Sequence, residues 1–191
     1  MFAVTFHHLI VGLATGIATL SCAAALGAWF STYFVGGSKA RAYLDRTAYM
    51  AGVVAVPMLP LAVLSGTAAM SAPGADAMSY NKFLFTGLTV GFLVSMLVGR
   101  WRFGPGIWVE SRLSILQIVC AAGAMVSITI LGSIGAKMSL GESTLDIFPF
   151  YPSFEDSIVV NQWLALVLLL LGLAAMVISF MLGPKVERLP E

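Results

Sequence analysis

Charge is what this chain has least of. Only 10% of its 191 residues are Asp, Glu, Lys or Arg, against 59% hydrophobic, and the mean hydropathy is +0.95. A soluble domain carries about a quarter charged residues, so water is not this chain's main solvent. Apolar runs take up most of the length and leave no room for a separate soluble catalytic domain. The net charge is +1, and no basic cluster is present that could track a phosphate backbone, which excludes nucleic acid as a partner. Cysteine is scarce too. Cys22 and Cys120 both fall inside apolar runs, where they serve as small hydrophobes rather than as a disulfide framework or a metal pair. Also missing are a Gly-rich phosphate loop, a His-Glu-x-x-His pair, a Cys-x-x-Cys motif and a nucleophile elbow, so an autonomous enzyme is not expected. No Asp, Glu, Lys or Arg stands out at depth in the apolar runs, unlike ion-coupled transporters and proton pumps. A small-solute transporter is therefore the least supported function.

What the chain does have is long apolar stretches. About 20 apolar residues cross a bilayer as a helix, and five runs reach that length: 9–35, 48–71, 83–101, 113–136 and 159–182. None alternates as a barrel strand does, and in lipid only a helix satisfies its own backbone, so the expected fold is an all-α integral membrane helical bundle with five transmembrane helices. The run after Met1 lacks a basic n-region and is too long for a signal-peptide core, so it reads as a true span.

Loop charges orient the bundle. Lys39, Arg41 and Arg46 follow the first run, Arg100, Arg102 and Arg112 flank the third connection, and Lys185 and Arg188 lie in the tail, whereas the opposite side has only Lys82 and Lys137. The positive-inside bias places the N-terminus outside and the C-terminus in the cytoplasm of a multi-pass protein of the cell membrane. Asp76, Glu142, Asp146, Glu155 and Asp156 then face the outer compartment.

Several features could carry packing or chemistry. Gly12 with Gly16, Gly87 with Gly91, and Gly132 with Ala136 have the small-xxx-small spacing of close helix contacts, within the chain or between subunits. Pro57 and Pro60 should kink the second span. His7 and His8 are the only histidines, and imidazole ligates haem, copper and zinc. Two imidazoles cannot supply two bis-histidine haems. One haem b remains open if a histidine pairs with a partner's residue or with a methionine such as Met50, Met58, Met70, Met96, Met125 or Met138. The competing reading puts both histidines at the outer interface, since consecutive helical residues point roughly 100° apart and cannot both face one site. The segment 139–158 is aromatic and Pro-interrupted. Phe148, Phe150, Tyr151 and Phe154 there suit either a seal over the bundle, a lid on a quinone or pigment pocket, or a surface for an extracytoplasmic partner. Its carboxylates show no metal-ligand spacing, and the metal content stays unknown.

Four motifs carry a resemblance: His7-His8 before the first span, Leu64-Ser-Gly-Thr-Ala68 closing the second, Arg100 after the third, and Ile130-Leu-Gly-Ser-Ile-Gly-Ala136 ending the fourth. Over residues 5–145 the chain resembles an uncharacterised family of small four-helix bacterial membrane proteins suspected of binding haem. It departs from that family in having Leu9 after His8 where the family has proline, and Asn81 where a histidine would open the third span. The resemblance implies a four-helix scaffold that holds a haem near its histidines. Taken together, the residues favour a non-catalytic subunit of a larger electron-transfer complex, respiratory or photosynthetic, that packs against other membrane subunits and binds lipid in its grooves. The alternative is a haem- or quinone-binding redox protein that uses His7 or His8.

Overall fold

The computed structural model describes residues 2–69, 76–147, 158–182 and 189 of the chain. Five α-helices appear there, and no strand among the described residues: α1 (Phe2–Phe30), α2 (Ser38–Ala69), α3 (Ala77–Phe103), α4 (Ser111–Leu140) and α5 (Gln162–Leu182). The first four are long and apolar enough to cross a membrane, which makes this a multi-pass membrane bundle. Each of them has between 27 and 32 residues, more than the roughly 20 that the hydrocarbon core needs, so their ends reach the headgroup layer.

Neighbours in sequence are neighbours in space. α1 packs on α2 and α4, and α3 packs on α2 and α4, which closes an up-and-down four-helix ring. The turns at 36–37 and 104–110 therefore share one end, called here the Arg100 end, and His7 lies at the other. Gly36, with φ of 66°, ends a π-helical turn, Ser31–Val35, in the left-handed region that a side chain would strain. Asp76 caps α3 by accepting from the Ser79 amide at 2.8 Å, and Glu110 caps α4 through the Leu113 amide at 2.7 Å.

One boundary differs from the sequence expectation. The segment from Gly37 to Arg46 reads as a basic loop, yet α2 starts at Ser38 and carries Lys39, Arg41, Asp45 and Arg46 on its first turns. Lys, Ala, Arg, Tyr and Leu tolerate a helix well, and only Gly36 and Gly37 interrupt it. Pro57 and Pro60 both lie inside α2 on an exposed face, so the helix continues past them with their rings turned away from the core.

The glycine expectation also needs correction within the chain. A Cβ placed at Gly12, Gly16, Gly87, Gly91 or Gly132 would meet nothing within 4 Å, so none of these five sits at a close helix contact here. The tight seam is made of alanine. Ala14, Ala18, Cys22, Ala25 and Ala28 of α1 are fully buried against Ala48, Ala55 and Leu59 of α2, at the three- and four-residue spacing of one helix face. Small side chains let the two backbones approach, and dispersion then replaces the hydrophobic effect that lipid cannot supply. Close approach through glycine occurs at other sites. Gly52 faces Ser21 and Leu97, and Gly123 carries the Phe92 ring 2.7 Å from where a Cβ would stand.

The two glycine sets should therefore respond oppositely to alanine. Gly123→Ala forces the Phe92 ring aside and should cost about 1–3 kcal/mol in the unfolding of the detergent-solubilised chain. Gly87→Ala meets open space and should be neutral or stabilise by up to about 1 kcal/mol, the helix-propensity gain. Equal losses at both positions would contradict this packing.

Candidate functional site

A cavity of about 650 Å³ opens at the His7 end between all four helices of the ring. Its depth can be read from the helices that line it. His7, His8, Lys82, Ser139 and Leu140 surround the mouth, and the base is mostly apolar, made by Ala14, Leu59 and Ile128 with Thr19 and Thr86 beside them. Along α4 the wall runs from Leu140 to Ile128, roughly 18 Å at 1.5 Å per residue.

His7 is anchored by its neighbours. Ser65 Oγ lies 2.9 Å from the Ala62 carbonyl and 3.0 Å from His7 Nδ1. With the hydroxyl proton on Ala62, Nδ1 is the donor to Ser65 and Nε2 keeps its lone pair. The ring lies against Gly66, where a Cβ would come within 2.9 Å of Cε1, so glycine is needed to admit it. An imidazole anchored through one nitrogen, with the other left as an acceptor, is the usual arrangement of a ligating or proton-accepting histidine. His8 is exposed at the rim, its ring centroid 6.0 Å from that of His7. Both histidines therefore border one cavity, against the expectation that they could not share a site, because the mouth is wide enough to span two successive side chains.

Lys82 enters from the second turn of α3. Its Nζ reaches across to α4, 3.7 Å from where a Cβ at Gly135 would stand, and the bare backbone at Gly132 and Gly135 leaves it room. Around it the hydroxyl protons are already engaged. Thr86 donates to the Lys82 carbonyl, Thr129 to Met125, Ser139 to Gly135, and Ser79 to the Asp76 carboxylate. Bonds from the Ser79 amide and hydroxyl hold the Asp76 carboxyl below the usual carboxylate range. Asp146, outside the helices, is likewise lowered, first by the Ser143 amide and then by Lys137.

The remaining sequence candidates separate clearly. None of the described methionines lines the cavity, so a histidine and methionine pair of axial ligands is not assembled there. No group of three or more His, Cys, Asp or Glu is gathered for a metal among the described residues. Phe148, Phe150, Tyr151 and Phe154 lie outside the described residues, as do Met70, Glu155 and Asp156. Asn81 is fully buried and accepts from the Val159 amide at 3.0 Å, so it fastens the approach to α5.

Sequence reading missed the most buried charge. Asp45, 3% exposed, accepts from Arg100 Nε at 2.7 and 2.9 Å, from Arg100 Nη2 at 2.7 Å and from Trp108 Nε1 at 2.7 Å. The Tyr49 ring, one turn further along α2, lies 5.7 Å from the guanidinium carbon. An acid in what reads as a loop gave no hint of this. The one available signal was an aspartate eight residues into a stretch without glycine or proline. The cluster ties α2, α3 and the turn before α4 together at the end opposite the cavity, and it is structural.

Comparison of the chain with protein-family models, with curated proteins and with solved structures finds no match.

Removing one partner of the buried cluster leaves the other charged and unmatched. Asp45→Ala should lower unfolding stability by about 3–5 kcal/mol. Adding Arg100→Ala should cost less than the sum of the two single changes, since the pair acts as a unit. A loss below about 1 kcal/mol in Asp45→Ala, the range of a solvated surface pair, would overturn this assignment.

Proposed function

We propose that this protein binds a membrane-borne redox cofactor of the haem or quinone class in the cavity at the His7 end, as a non-catalytic component of an electron-transfer assembly. The observation that carries the reading is His7, held by Ser65 through Nδ1 so that Nε2 is the nitrogen left for a ligand, at the edge of a cavity of about 650 Å³. Such a nitrogen can ligate haem iron or accept the hydroxyl proton of a quinol. The apolar base suits the rest of either molecule. The resemblance over residues 5–145 points the same way.

Orientation and span number belong to the same proposal. Lys39, Arg41, Arg46, Arg100, Arg102 and Arg112 gather at the Arg100 end, a bias that supports a cytoplasmic Arg100 end and an outer cavity mouth. The segment containing α5 is fastened at opposite ends of α3. The Val159 amide donates to Asn81 near its start, and the Leu189 amide donates to the Phe103 carbonyl at its finish, at 2.8 Å. A 21-residue helix between those anchors supports a fifth crossing.

A second reading, a scaffold subunit without a cofactor, has its own support. The open glycine faces Gly12–Gly16 and Gly87–Gly91, and the exposed apolar flank of α5, offer close-approach surfaces that nothing among the described residues covers. In that case alanine at Gly12 or Gly87 would release a partner without destabilising the isolated chain.

The chain purified from its native membrane in mild detergent should carry haem, seen in a reduced-minus-oxidised spectrum, or an extractable quinone. His7→Ala should remove it. Ser65→Ala, which frees the imidazole, should weaken retention about 10–100-fold. A colourless, quinone-free chain, or full retention in His7→Ala, would remove the redox reading and leave the scaffold.

A further inference from the structure

We infer that the outer cavity takes the head of an anionic amphiphile, a carboxylate or phosphate monoester on an apolar chain, with Lys82 as its charge partner. The inference rests on the cavity's being a ligand site, as above, but not on His7 or on redox chemistry.

The argument starts from charge balance. Arg100 is matched by Asp45 and Lys137 by Asp146, at 2.7 and 3.1 Å. Lys82 Nζ has no carboxylate and no hydrogen-bond acceptor among the described residues. A part-buried ammonium without a counter-charge is less favourable than one in water, and an incoming anion would offset that. The surrounding hydroxyls have no proton left for an anion, because Thr86, Thr129 and Ser139 each donate to a carbonyl of their own helix. They leave Lys82 as the charged donor that faces the cavity from α3, beside His8 at the rim.

Shape then selects an amphiphile over a small ion. Below the ammonium the wall of the slot is mostly apolar, through Val63 and Leu131 to Leu59 and Ile128, with Thr86 and Thr129 among these residues, and from Gly135 to Ile128 it runs roughly 10 Å by the helix rise. A free phosphate would leave that slot unfilled, whereas an alkyl chain buries its methylenes there. A head at the mouth and a chain pointing to the bundle centre also match how an outer-leaflet lipid lies beside these helices.

The full chain in a non-ionic detergent near neutral pH can be titrated calorimetrically with dodecanoate, dodecyl phosphate and dodecanol, with inorganic phosphate as competitor. Both anions should bind at least about tenfold tighter than dodecanol. The relative strength of the two anions tells a fatty-acid head from a phosphate head. Lys82→Gln should erase the preference for anions while leaving dodecanol binding unchanged, and Lys82→Arg should keep it, which separates lost charge from lost folding. Redox-cofactor content is read separately, on the chain purified from its native membrane, so a failure of that reading and a loss of anion selectivity in Lys82→Gln are independent results. Equal binding of anions and dodecanol, a preference that survives Lys82→Gln, no binding of any dodecyl ligand, or displacement by inorganic phosphate at the same concentration as dodecyl phosphate would each overturn the inference.

Discussion

A carboxylate taken out of water constrains this bundle more than any other group in it. Asp45 sits inside a membrane helix with both oxygens engaged by a two-pronged guanidinium and an indole N–H. Desolvating it is unfavourable by itself, and the arrangement persists only because Arg100 and Trp108 arrive together at fixed geometry. That requirement sets the register of α2 against α3 and pins the turn 105–108 beneath α4. With the Arg100 end fastened in this way, the alanine seam between α1 and α2 can run the length of the bundle at close separation.

The two ends are consequently different. At the Arg100 end the space between helices is filled by Trp108, Ile107, Leu93 and Gln117, all 2% exposed or less. At the other end small residues recur where helices face the interior: Gly66 on α2, Gly132 and Gly135 on α4, Ala14 on α1. Side chains there are too short to close the ring, and a cavity remains. Its ionisable groups lie at the mouth and its depth is mostly apolar, the order that suits a ligand entering from the lipid or from the His7 end.

Much of the fold was legible from composition. The apolar runs at 9–35, 83–101 and 113–136 correspond to α1, α3 and α4, because a run of that length in lipid has no other way to satisfy its backbone. The first turns of α2 were not legible, since a lysine, two arginines and an aspartate in ten residues look like a loop. Asp45 was hidden for the same reason, as its partner is 55 positions away and nothing local marks the pair. The packing seam was misplaced onto glycines because spacing rules treat glycine and alanine alike. In the site, His7 stood out by scarcity. Ser65 and Gly66, which anchor and admit its ring, belong to an ordinary-looking helix end, and Lys82 read only as a topology charge. The structure is what places these four side by side at one mouth.

The central claim is that this mouth is a ligand site and that the Asp45 cluster holds the opposite end shut. Electron cryomicroscopy of the full chain, taken from its native membrane into lipid nanodiscs, tests it most directly. The account predicts density of a non-protein molecule running from between His7 and Lys82 down to Leu59 and Ile128, with none between α2 and α3 beside Asp45. A cavity that is empty, or filled by the chain's own side chains, would contradict it.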